Sequence, residues 1–134
     1  MLHNPYQQYK EQSLATLSSG EILVKLFEEC TKQLTIGQRA MVKKDYPVST
    51  NALSKAQEII DTLSISLDME FPISEQLRPM YTFISQQIGQ ANASKNDMQV
   101  AQIMPLVKDL RDSFDGAQKE SRRPQYAGAR SHAV

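Results

Sequence analysis

Four stretches of this chain repeat apolar residues at the spacing of an α-helix, and only short connections separate them. In the first, Leu23, Leu26, Phe27, Cys30, Leu34, Gly37 and Met41 follow at intervals of 3, 1, 3, 4, 3 and 4. These intervals keep every residue on one helical face. The second stripe is Ala52, Ala56, Ile59, Ile60, Leu63 and Leu67, and the third is Leu77, Met80, Tyr81, Ile84, Ile88 and Ala91. The fourth, Val100, Ile103, Val107, Leu110, Phe114 and Ala117, alternates steps of 3 and 4 as a bundle seam does.

Local signals punctuate the stripes. Ser18-Ser19-Gly20-Glu21 reads as a capping box at the first helix, and Lys43 and Lys44 suit its negative C-terminal end. Asp45-Tyr46-Pro47 opens the second helix, since proline is tolerated in a first turn. Phe71-Pro72 ends it, because the residue before proline is pushed out of the helical region. Ser74 is expected to cap the third helix and Asn96 or Asp97 the fourth. Pro105 lies inside the fourth stripe, removes an amide donor and crowds the carbonyl of Ala101, so a kink or a break near Met104 is expected. Pro79 poses a milder version of the same problem.

Short connections make successive helices antiparallel. The expected fold is therefore all-α, an antiparallel up-down-up-down four-helix bundle over residues 18–119. A flexible N-terminal arm (1–17) precedes it and a disordered basic tail (120–134) follows. With 134 residues the chain is one domain that can bury its own core without disulfides or metal.

The sequence offers little for catalysis. Its two histidines, His3 and His132, lie in the two ends, so no helix face carries a phosphotransfer histidine or a Glu-x-x-His iron ligand pair. The five glycines are isolated, which leaves no phosphate loop or dinucleotide fingerprint. Cys30 lies on an apolar stripe and reads as a buried, inert thiol. Asp109, Arg111, Asp112 and Asp115 read as a solvated face with local ion pairs. No enzyme activity, cofactor or metal is expected. Fifteen basic residues balance fifteen acidic ones, which argues against a nucleic-acid binder. The tail does collect Lys119, Arg122, Arg123 and Arg130 against Glu120 alone. The first thirty residues hold no apolar run of seven, and no run approaches the ~20 needed to cross a membrane. A cytoplasmic protein without membrane insertion is the expectation.

A binding surface remains. Val24, Ile65, Phe83 and Leu106 fall off the four stripes, among polar neighbours, and are expected to line outer grooves where another amphipathic segment could lie. Met98 and Met104 could add adaptable contacts, whereas Met41 and Met80 read as core. In the arm, Tyr6 and Tyr9 offer rings whose hydroxyls stay wet, suited to contacts that form and release. Such an arm could cover a groove until a partner displaces it.

Taken in order, these residues resemble a known family. Asn4-Pro5-Tyr6 with Tyr9, then Ser18-x-x-Glu21 before Ile22-Leu23-Val24-Lys25-Leu26-Phe27, resembles the start of the flagellin-specific export chaperones, the FliS family. Lys44-Asp45-Tyr46, Lys55-Ala56-Gln57-Glu58-Ile59-Ile60, Leu67-Asp68-Met69-Glu70, Met80-Tyr81-Thr82-Phe83, Ala91-Asn92 and Leu110-Arg111-Asp112-Ser113-Phe114 continue the likeness to about residue 120. Phe114 stands where the family usually has Trp, Gln86-Gln87 where an Arg pair is common, and Pro105 lies outside the pattern.

The resemblance implies a cytoplasmic chaperone that binds the disordered C-terminal segment of flagellin, which folds into helices against the bundle. Premature polymerisation is thereby blocked, and the flagellin is handed to the export gate of the flagellar type III apparatus. It also implies roles for Tyr6 and Tyr9 in flagellin binding or gate docking. The rival reading is a bundle that only self-associates, as a weak homodimer when free, or an adaptor for another helix-bearing partner.

Overall fold

The computed structural model describes residues 20–121 as four α-helices: α1 (Gly20–Val42), α2 (Tyr46–Ile65), α3 (Pro72–Ser94) and α4 (Asp97–Ser121). The arm with Tyr6 and Tyr9, the Ser18 cap and the tail beyond Ser121 lie outside the described residues. No strand occurs among the described residues. Helix α1 packs on α2 and on α4, and α3 closes the ring against α2 and, most thinly, against α4. Bonds between helices fix the antiparallel register. Asn92 reaches Thr50 and Ser54 while Gln57 reaches Ser85, and Gln38 reaches Asp97 while Arg111 reaches Glu28. The up-down-up-down bundle expected from the stripes is the observed architecture.

The four stripes meet in one core. Phe27, Leu34, Leu53, Ile60, Ile88 and Val107 are fully enclosed. Phe27 stacks on Phe114 with ring centres 5.5 Å apart and tilts against Tyr81 at 6.3 Å, so Phe114 packs where the resemblance has the larger Trp. Gly37 lets α1 approach α2 closely, because a Cβ there would overlap the Cδ1 of Leu53. Cys30 is buried and its thiol lies 3.7 Å from the Ala56 carbonyl. Burial, and then the charge of Glu29, push its pKa up to about 12, so the thiol stays protonated and unreactive at neutral pH.

Both turns at one end of the bundle close in the same way. Lys44 and Lys95 adopt left-handed backbone (φ 61° and 55°) just past α1 and α3. The Asp45 and Asn96 amides then reach back to the carbonyls of Ala40 (2.8 Å) and Ala91 (3.0 Å), the pattern that satisfies a helix's orphan carbonyls. Asn96 caps α4, its side-chain oxygen accepting from the Gln99 amide at 3.1 Å.

Four local expectations are corrected. α4 runs through Pro105 without a break. Pro105 faces solvent, where the carbonyl it leaves unpaired can bond water. α2 stops at Ile65, well before Phe71. Ser74 does not cap α3, because its hydroxyl donates to the Asp68 carbonyl at 2.6 Å and ties the preceding loop to the helix. Met80, expected in the core, is 44% exposed, since it lies on the edge of the α3 face that meets the thin α4 seam.

Candidate binding surface

At the end opposite the two lysine turns, the chain does not close over its own core. α2 ends early, and residues 66–71 cross to α3 as a loop. The loop is held by the Phe71 amide on the Asp68 carbonyl (3.1 Å) and the Glu70 amide on the Asp68 carboxylate (3.0 Å). A cavity of about 170 Å³ opens beneath it, lined by residues of all four helices and the loop, among them Leu23, Leu67, Phe71, Ile73, Tyr81 and Phe114. The lining is apolar but for Thr62, Ser66, Asp68, Ser74 and the Tyr81 hydroxyl. Phe71 and Ile73 are more than half exposed. Burial raises the pKa of Tyr81 well above the ordinary phenol value, so it presents a neutral O–H.

Elsewhere, the thin α3–α4 seam leaves apolar side chains partly exposed in the groove between the two helices. Residues 73, 76, 80, 83, 87 and 90 advance along one side of α3 at steps of 3 and 4. Gln99 of α4 donates to the side-chain oxygens of Gln87 (2.9 Å) and Gln90 (3.3 Å). That cross-link sets the antiparallel register, which brings Leu106 level with Met80 and Phe83. These three are 37%, 44% and 50% exposed, partly covered because α3 and α4 meet along so little surface. Phe83 also borders a shallow depression with Met69 and Pro79 on the outer face of α3.

The structure thus divides the residues singled out from sequence. Phe83 and Leu106 flank one groove. Ile65, 70% exposed, projects from the last turn of α2 at the open end, apart from that groove. Val24 is corrected: at 7% exposure it is buried, because it falls on the side of α1 that carries Glu28 and Thr35, which α4 covers. Tyr6 and Tyr9 are outside the described residues. Phe71, Ile73 and Met80 were not singled out. One available signal was Leu67-x-Met69-x-Phe71-x-Ile73, apolar residues alternating through a connection where polar ones are ordinary.

The other seams are polar or ionic. Between α2 and α3, Gln57, Asp61, Ser85 and Asn92 bond across. Between α1 and α4, Arg111 bridges Glu28 (2.6 Å) and, within α4, Asp115 (3.4 Å), which also pairs with Lys119 (3.0 Å). Among the described residues no cluster of His, Cys, Asp and Glu is placed to hold a metal ion, and no helix is long and apolar enough to cross a membrane.

Residues 2–121 match the family model of flagellar protein FliS. The chain belongs to the FliS family. The flagellar secretion chaperone FliS of Bacillus subtilis (strain 168) is 27% identical over 125 residues, covering 93% of this chain and 94% of the relative. The flagellar secretion chaperone FliS of Vibrio cholerae serotype O1 is 29% identical over 115 residues, covering 81% and 85%. FliS proteins are thus flagellar secretion chaperones rather than an enzyme class, and the open cavity and groove are the features of this FliS bundle suited to holding a guest.

Proposed function

We propose that this chain is a cytoplasmic export chaperone for flagellin. It binds flagellin's C-terminal segment, keeps it from polymerising and presents it to the flagellar type III export apparatus. The carrying observation is the apolar cavity at the open end, beside the exposed Phe71 and Ile73. An amphipathic segment that folds on contact would lay its apolar face along Met80, Phe83 and Leu106 and seat an apolar side chain beneath the loop, the helix-in-groove mode of recognition. Ordering such a guest offsets on the order of 2–5 kcal/mol of the gross interaction, so a broad contact can still release.

The family membership and the names of the two relatives support the reading. So does the position of Gly20, which begins α1 three residues before the cavity-lining Leu23. We propose further that residues 1–17, with Tyr6 and Tyr9, compete with the guest for this surface. Calorimetric titration with a flagellin C-terminal peptide, combined with circular dichroism of the mixture, tests the function. Tight one-to-one binding with negative heat-capacity change and added helix is expected. No heat, no added helix and a concentration-dependent dimer would replace the chaperone with a self-associating bundle. Removing residues 1–17 should raise guest affinity or alter its dissociation rate, and no change in either would dismiss the competing arm.

A further inference from the structure

The two ends of the bundle differ in charge as well as in closure. At the open end, residues 20–27, 61–79 and 111–119 carry seven acidic side chains and four basic ones. At the end with the lysine turns, residues 35–55 and 90–104 carry two acidic and five basic. The acidic excess concentrates at the cavity. Asp68 lines it, Glu70 and Glu75 flank the exposed Phe71 and Ile73, and no basic residue lies between Ser66 and Leu77. Among the described residues no ion pair engages these three carboxylates. Two of the four bases are taken, Arg111 by Glu28 and Asp115, and Lys119 by Asp115. Lys25 stands exposed on α1, and Arg78 lies with Glu75 in the depression on the outer face of α3. Residues 122–134 continue from this same end. Phe114, seven residues before Ser121, lines the cavity, so α4 overhangs it by about 10 Å. The continuing segment has Arg122, Arg123 and Arg130, no acidic residue and one aromatic, Tyr126. Pro124 disfavours helical backbone at Arg123, so the sequence favours a change of direction just past α4. Five residues of extended chain span about 17 Å, enough for Tyr126 to return from Ser121 to the cavity.

We propose that residues 122–134 fold back on the open end as a built-in occupant. Tyr126 enters the cavity, Arg122, Arg123 and Arg130 face Asp68, Glu70 and Glu75, and a guest must displace them. Such a tail acts whether or not the guest is flagellin. Apolar cavities of about 150 Å³ admit a benzene ring. This one, of about 170 Å³, has Thr62, Ser66 and Asp68 among its lining to receive a phenol hydroxyl. Arginine–carboxylate pairs in water each contribute little. Tethering supplies an effective concentration on the order of millimolar, so weak contacts suffice to cover the site and still yield to a guest. Charge selects this segment over the other one that joins the bundle here. Residues 1–17 hold one base, Lys10, and one acid, Glu11, so they can compete for the apolar lining but gain nothing from the acidic rim.

The test follows amide hydrogen exchange of residues 66–75 in the full chain at about 50 mM salt. Tyr126→Ser and the double substitution Arg122→Glu, Arg123→Glu should each speed exchange there about 5-fold or more, with exchange across residues 30–41 and the urea midpoint unchanged. About 500 mM salt should do the same to the wild type, because the screening length falls several-fold, and should do less to the arginine variant. Adding Glu70→Arg and Glu75→Arg to the arginine variant should restore protection. A flagellin C-terminal peptide should bind both tail variants about 3-fold or more tighter than the wild type, since the competent form is no longer a fraction of the whole. Exchange at residues 66–75 that is the same in the wild type and in both tail variants overturns the docked tail. So does protection that grows with protein concentration, which would place the tail on a second copy of the chain. Protection lost with residues 1–17 but kept in the tail variants would give the cavity to the arm and likewise overturn it. A peptide that binds no form of the chain removes the chaperone function alone, because the exchange measurement decides the tail without it.

Discussion

The two ends of the bundle solve chain reversal differently. Where α1 passes to α2 and α3 to α4, two residues or three suffice. Lysines in left-handed backbone fold the amides of Asp45 and Asn96 back onto the preceding helices, and Lys95 reaches across to Thr50. Where α2 passes to α3, six residues are used, the helix stops short, and Phe71 and Ile73 stand half in water beside a cavity. The first end is closed by its own backbone bonds, although Val42, Val48 and Met98 stand exposed there. The second adds a cavity to its exposed apolar side chains, Phe71 and Ile73 standing at its rim. Under the proposed function, that surface is where a guest would complete the fold.

The contrast can be broken by substitution. Leu53→Ala, beneath the tight α1–α2 approach at Gly37, should lower stability by about 2–5 kcal/mol in urea unfolding followed by circular dichroism, with guest affinity per folded molecule kept. Cys30, midway between the ends, sharpens the same point through pH. Its thiol keeps its proton in the folded state to about 12 but loses it above 9.0 once unfolded. Its contribution is thus whole below 9.0 and declines above it by about 1.4 kcal/mol per pH unit. Cys30→Ala should flatten that part of the alkaline decline, and an identical slope would count against a buried neutral thiol.

At the open end the order of effects reverses. The double substitution Phe71→Ser, Ile73→Ser should leave unfolding within about 0.5 kcal/mol yet weaken a flagellin peptide at least ~10-fold, about 1.4 kcal/mol. Equal losses of stability and affinity would erase the distinction between the ends. The smallest effect belongs to the tight turn. Lys44→Gly relieves a side chain held at positive φ and should stabilise by about 0.5–1 kcal/mol with binding untouched.

Helices and core were legible because the periods are long and consistent. Phe27, Leu34, Ile60, Ile88 and Val107 are all enclosed as their stripes require. Periodicity specifies a face but not how far the neighbouring helix covers it. Val24 and Met80 were misjudged for that one reason: the broad α1–α4 seam extends over Val24, and the thin α3–α4 seam leaves Met80 out. Ser74 shows another limit, since a hydroxyl near a helix start can serve the loop before it instead of the helix after it. On the surface, Phe83 and Leu106 were legible as apolar residues in polar rows. The cavity was not, because it forms only when the ends of four helices and one loop meet.

The thin α3–α4 seam also determines which part of the molecule yields first. α1 shares broad seams with both its neighbours, whereas α3 leans chiefly on α2. Excursions from the native state should therefore begin with α3 parting from α4, a sub-global opening that leaves the α1–α2 hairpin standing. Amide hydrogens of α3 would then exchange with solvent sooner than those of α1. A guest that bridges the seam would slow that exchange in α3 and leave α1 as it was, lending the least anchored helix a stability that it otherwise lacks.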